Sequence, residues 1–317
     1  MDQNKGYYLV FSTAIISGFA IFINKFGVSV VNPYIFTFLK NLIVAFLLTG
    51  ILLALRDWRI LKNLTKKQWL LLVIIGLVGG SIPFLLFFKG LSLTSAAQGS
   101  FIHKTMFIYV ALLAVIFLKE KIDRRFLLGG LILILANFIL LKKLPTSINF
   151  GDLLVLFAAL FWAIENTISK YTLRELQGRT VAWGRMFFGT FFIFIFLFGT
   201  NQLPLITGPT LKQISWVIIT GLILFGYVMS WYSGLKYIPV SQATAILLFG
   251  SPITTFLSLI SGGKISFQEI LSGILIILGV ISVIGLKEIW QIIKQTRKLI
   301  YCFYKHCVKI TIMEKLH

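Results

Sequence analysis

The chain has 317 residues and a mass of 35.8 kDa, of which 58% are hydrophobic and only 13% charged, with a mean hydropathy of +0.93. Its 30 basic and 10 acidic residues are too few to cover a soluble surface of this size, where about a quarter of positions are usually charged. That excludes a soluble two-domain enzyme, a disulfide-stapled secreted protein and a disordered chain, and leaves a polytopic membrane protein. The net charge of +20 does not point to nucleic acid. Lys and Arg fall in short gaps between apolar runs, the placement expected of orientation and anionic-lipid signals.

In chain order, apolar runs long enough to cross a bilayer fall at 7–29, 34–55, 69–89, 95–118, 124–141, 151–171, 180–199, 213–235, 240–261 and 267–286. The first is read as a retained span rather than a cleavable leader, because its n-region is weak and nine more runs follow. With the N-terminus inside, 21 basic residues lie on the inner segments and five on the outer ones. This bias predicts cytoplasmic N- and C-termini. The predicted fold is an all-α integral membrane protein with ten transmembrane helices.

The chain repeats itself. Lys25 and Lys170, like Lys40 and Arg185, are 145 residues apart; Gly90-Leu91 recurs as Gly234-Leu235 and Gln98 as Gln242 at 144; Lys121-Ile122 recurs as Lys264-Ile265 and Gly130 as Gly273 at 143. Each copy holds an odd number of spans, so the second enters the membrane from the opposite side. Inverted five-helix repeats are the frame on which many secondary transporters build alternating access around a midplane site. The organisation expected is a short cytoplasmic N-terminus (1–6), a first repeat (7–141), an external linker (142–150), a second repeat (151–286) and a basic amphipathic tail (287–317).

Several weak motifs in matching order resemble the drug/metabolite transporter superfamily, and within it the EamA family. Gly90-Leu-Ser-Leu-Thr-Ser-Ala-Ala-Gln98 is similar to that family's segment between spans 3 and 4. Ala111 to Glu120 resembles its ending of span 4, and Gly129-Gly130 its fifth span. Trp162-Ala163 with Lys170 resembles the opening of its second repeat, and Pro33, Lys40 and Ala45 its second span. Departures include Lys40 in place of Arg, and Gly263-Lys264 where the second repeat would carry Gly-Glu. The resemblance covers about residues 7–286. It implies a secondary transporter of small metabolites such as amino acids, with export favoured and vitamin uptake (riboflavin, for instance) as the alternative.

Ionisable groups inside a membrane are costly and mark cavities, pairs or pathways. Glu165 is the one acid well within a span. It is a candidate for substrate binding and proton coupling, or else a structural partner of Lys170 or Arg174. His103 and Lys104 sit near the middle of span 4, where an anionic or carboxylate-bearing substrate, or a buried partner, would explain them. Lys40 and Arg185 are read as substrate ligands or as carbonyl-bonding staples, and Lys25 and Lys170 as snorkelling lysines. Gln98 and Gln242 are expected to bond across the repeat interface or to substrate. Trp162, Trp183, Tyr109 and Trp231 would line a site for an aromatic or flat heterocyclic substrate, unless they serve packing and interfacial belts. Pro83 and Pro252 interrupt spans 3 and 9 as hinge candidates.

The tail places apolar residues at helical spacing among seven basic ones, which suits a helix on anionic lipid. Cys302, His306 and Cys307 lack a second ligand pair, so no metal is expected. No phosphate-binding loop is present, and the scattered acids and histidines do not suit a membrane-embedded enzyme. The expected protein is not an enzyme and needs no cofactor. It would be a multi-pass monomer or homodimer in the cell (inner) membrane, partnered by a small-molecule substrate and lipid.

Overall fold

The computed structural model describes residues 2–27, 32–94, 96–141, 148–206, 210–291 and 294. Among the described residues there is no strand. Ten long helical segments follow in order: α1 (Asp2–Gly27), α2 (Pro33–Ala54), α3 (Lys66–Leu93), α4 (Gln98–Leu118), α5 (Arg124–Leu140), α6 (Phe150–Thr172), α7 (Gly178–Gly199), α8 (Leu211–Leu235), α9 (Val240–Ile260) and α10 (Phe267–Ile284). Nine of them are long and apolar enough to cross a membrane; α5, with 17 residues, is the shorter one. The predicted linker residues 142–147 and tail residues 295–317 lie outside the described part. Residues 2–6 of the expected N-terminal segment are continuous with α1, which is helical from Asp2, and Lys5 reaches over the Tyr237 ring at 5.6 Å.

Local chemistry starts the helices where the pattern requires. Asn32 caps α2 just before Pro33, whose missing N–H falls where no helical partner exists. Capping boxes open α3 (Thr65 with Gln68) and α8 (Thr210 with Gln213). These two boxes are the same device 145 residues apart.

Packing follows the duplication. α1 lies on α8 as α6 lies on α3, while α2 pairs with α7 and α5 with α10. α1 packs on α9 as α6 packs on α4. The α1–α8 crossing is closed by Gly6 and Gly234, where a Cβ on Gly6 would stand 3.2 Å from the Gly234 carbonyl oxygen. The α6–α3 crossing is closed by Gly151 and Gly90, where a Cβ on Gly151 would stand 2.8 Å from the Gly90 carbonyl oxygen. Small residues let backbones touch where lipid offers no hydrophobic drive for helix association. The lipid-facing sides carry residues such as Phe46, Phe117 and Phe198, each more than two-thirds exposed.

Three helices are broken, and the breaks decide the site. α3 carries a π-helical stretch, Gly76–Ser81, immediately before Pro83. α9 breaks at Leu248 and Phe249, upstream of Pro252. α4 breaks at the equivalent point, Thr105, without a proline. There the hydroxyl of Thr105 donates to the Ile102 carbonyl at 2.6 Å, a side-chain bond that competes with the helical ladder.

Candidate functional site

The site begins with one carbonyl. Pro83 has no N–H, so the carbonyl four residues earlier, that of Gly79, lacks its α-helical donor. Trp162 Nε1 and Arg185 Nη2 each donate to it at 3.1 Å, and Asn41 Nδ2 donates to the next carbonyl, Gly80, at 3.3 Å. Gly79 must lack a side chain, because a Cβ there would collide with the side chain of Glu165. A proline in α3 thus gathers α2, α6 and α7 onto one turn.

Glu165 is fully enclosed, at 1% exposure. Its Oε1 accepts from Ser169 Oγ at 2.5 Å and from the Tyr232 hydroxyl at 2.6 Å. The expected alternative of pairing with Lys170 or Arg174 is not what forms. Five helical residues separate Glu165 from Lys170, which places them about 140° apart around the axis. Nor does Lys170 snorkel. Its ammonium donates to the carbonyls of Leu235 (2.7 Å), Lys236 (3.2 Å) and Ile238 (2.7 Å), closing the C-terminal end of α8. Arg174 reaches the Leu118 carbonyl at 3.4 Å. The side chain of Lys25, its repeat mate, lies outside the described part.

Beside this polar knot stands an aromatic cluster. Phe84, Phe87 and Phe88 of α3 meet Trp162 of α6, with ring centroids 5.4 Å (Phe84–Trp162) and 5.3 Å (Phe87–Trp162) apart. His103 of α4 closes the group, 5.1 Å from the Phe87 ring and 5.2 Å from Trp162. Lys40 is buried, its ammonium 5.3 Å from the Phe88 centroid and 5.2 Å from Phe36. Arg185 stands 5.7 Å from the Phe84 centroid and 5.9 Å from that of Tyr232. Lys104 and Tyr109 are half-buried, and the Tyr109 hydroxyl lies 3.3 Å from that of Thr105, whose own proton goes to Ile102.

Not every residue singled out from the sequence joins this group. Trp183 points the other way on α7, since two residues turn the helix by about 200°. Its indole donates to Thr49 Oγ1 at 3.0 Å and its ring stacks on Phe187 at 4.9 Å. Trp231 is spoken for by Asn166, to which it donates at 3.1 Å. Gln98 and Gln242 each bond across the repeats: Gln98 donates to Asp152 at 2.5 Å, and Gln242 accepts from the Tyr7 hydroxyl at 2.6 Å. Tyr7 and Asp152 are themselves 145 residues apart, so the interaction is duplicated with altered chemistry.

Some site residues escaped the sequence reading. The spacing of Phe84, Phe87 and Phe88 marks one helix face and would have grouped them. The Gly79 carbonyl was signalled by Pro83 four residues on. No signal linked Tyr232 to Glu165, or Glu120 to the start of α9, where its carboxylate accepts from Val240 N (2.8 Å), Ser241 N (3.2 Å) and Ser241 Oγ (2.6 Å). Among the described residues no three His, Cys, Asp or Glu side chains converge as metal ligands would.

A helical membrane protein of two similar packed halves, with ionisable and aromatic groups buried where the halves meet, has the architecture of a secondary transporter. The sequence profile described as "EamA-like transporter family" matches residues 4–142 and again 149–285. The chain belongs to that family and is a multi-pass membrane transporter of small molecules. It is 26% identical to the riboflavin transporter ImpX of Fusobacterium nucleatum subsp. nucleatum, over 89% of this chain and 99% of that protein. It is also 26% identical to the uncharacterized transporter YoaV of Bacillus subtilis (strain 168), over 86% and 94%. A solved crystal structure, 17% identical, shares the fold with a TM-score of 0.72 over 87% of this chain and 95% of that one.

Proposed function

We propose that the protein moves a small metabolite with a flat ring across the cell membrane by alternating access, coupled to protonation of Glu165, and that it is not an enzyme. The observation that carries this reading is Glu165 itself. It is a buried carboxylate held by two hydroxyls, Ser169 from α6 and Tyr232 from α8, rather than by a cation within ion-pair distance. Losing or gaining a proton there breaks no ion pair within 4 Å among the described residues. The aromatic cluster of Phe84, Phe87, Phe88 and Trp162 favours a flat heterocycle over a small aliphatic amino acid. The name of the Fusobacterium relative supports the same choice. The excess of basic residues on the segments sharing a side with both termini supports a cytoplasmic placement of those termini. It also supports contact of residues 287–317 with anionic lipid.

Exchange assays in proteoliposomes across pH 5–8 test the coupling. Glu165→Gln is expected to remove the pH dependence while leaving substrate binding. Unchanged pH dependence in that variant overturns it. Preloading vesicles on one side or the other separates uptake from the export that the family resemblance implies.

A further inference from the structure

We propose that the transported molecule is an anion, and that its carboxylate or phosphate group docks between Lys40 and Arg185 at the edge of the aromatic cluster. This rests on the transporter reading and adds the charge of the substrate to it.

The argument is one of uncompensated charge. Lys40 is 4% exposed and Arg185 is 6% exposed, each about a third of the way along its helix, α2 and α7. Both approach the same ring, Phe84, at 6.0 and 5.7 Å. Neither has a carboxylate within 4 Å among the described residues. Lys40 has no hydrogen-bond acceptor there and faces only the rings of Phe36, Phe84 and Phe88. Ring faces attract a cation but do not replace the hydration of an ammonium. Arg185 spends Nη2 on the Gly79 carbonyl, while its Nε has no partner. A guanidinium does not shed its proton in a protein, so this charge persists. Lys104, on the α4 turn that carries His103, adds a third cation without an ion-pair partner among the described residues. The one intramembrane acid, Glu165, is hydrogen-bonded by Ser169 and Tyr232 and lies beyond 4 Å of Arg185, so its single charge offsets that of Arg185 only at a distance and leaves the two lysines unmatched. Around these rings the cations outnumber the acids among the described residues, and buried charges persist only when paired or liganded. An anionic group supplies the missing partner, and the rings beside it receive the rest of a flat molecule. The fork geometry of Arg and the point charge of Lys both suit carboxylate and phosphate.

The test compares matched pairs that differ only in charge: riboflavin 5′-phosphate with riboflavin, and 3-phenylpropionate with 3-phenylpropanamide. Binding is measured by calorimetry on the full chain in nanodiscs of pure phosphatidylcholine. At least one anion is expected to bind about tenfold or more tightly than its neutral mate, as a charge-assisted contact allows. Lys40→Met should bring that ratio close to one, and Lys40→Arg should keep most of it. Thermal stability of both variants checks that the fold survives. Equal affinity within both pairs, no binding by any of the four, or a ratio untouched by both Lys40→Met and Arg185→Gln overturns the proposal. So does stabilisation by phosphatidylglycerol nanodiscs with no soluble anion bound, which would make the site a lipid headgroup site. Counterflow in proteoliposomes separates the two readings. An anion that binds but is never exchanged sinks transport and spares the docking site. Exchange of only the neutral members does the reverse.

Discussion

The turn between α8 and α9 and the turn between α3 and α4 occupy equivalent places in the two repeats, yet they are held differently. At the first, two charged side chains grip both helix ends. Lys170 takes the carbonyls that close α8, and Glu120 takes the N–H groups that open α9. Each is charge matched to a helix terminus: a cation at the negative end and a carboxylate at the positive end. At the second turn the contacts among the described residues centre on one carboxylate. Asp152 accepts from Thr94 Oγ1 at 2.5 Å and from Gln98 at 2.5 Å, and it also completes the capping box of its own helix with Asn149. Glycine (Gly263) stands 143 residues after Glu120, so the grip of the first turn has no acidic counterpart by sequence. The duplicated fold thus carries different contacts at its two ends among the described residues.

Substitutions should rank along that difference. Lys170→Met has the largest expected effect, since it leaves the carbonyls of Leu235 and Ile238 without donors. Thermal unfolding in detergent should register a loss of about 3 kcal/mol, the upper range for hydrogen bonds to a charged group. Glu120→Gln keeps an acceptor but loses the charge and should cost about 1.5–2 kcal/mol. Asp152→Asn at the opposite end should cost about 1 kcal/mol, and transport should change less than in the two preceding variants. Tyr7→Phe removes only a neutral hydrogen bond to Gln242 and should shift stability by about 0.5–1 kcal/mol. The reverse order, with Asp152→Asn more damaging than Lys170→Met, would break the comparison and place the stronger lock at the other end.

Much of the architecture was legible from the chain alone. Helix positions follow from apolar runs, because every backbone group must be satisfied within lipid and only helices achieve that in a single segment. The duplication was legible because residues such as Gly90 and Gly234, or Gln98 and Gln242, keep a nearly constant offset. The structure puts these same residues at equivalent crossings. The site was legible in part. Burial of Lys40, Glu165 and Arg185 follows from their place in apolar runs, and the lone intramembrane acid was conspicuous. What each of them touches was not. Trp183 and Trp162 have the same composition signal, yet only one joins the aromatic cluster, because helix rotation is set by neighbours rather than by the residue itself.

By itself, then, the sequence determined a membrane protein, the approximate spans, the repeat and the short set of polar residues that lipid would not tolerate. Those follow from transfer free energy, which is a property of each segment. The tertiary structure alone decided that Glu165 answers to Tyr232, that Lys170 closes α8, that Glu120 opens α9, and that Lys40 and Arg185 approach one ring with no carboxylate within 4 Å of either among the described residues. These are pairings between helices far apart in the chain. A hydrogen bond or a charge contact depends on distances of a few ångströms, which only the packed bundle sets.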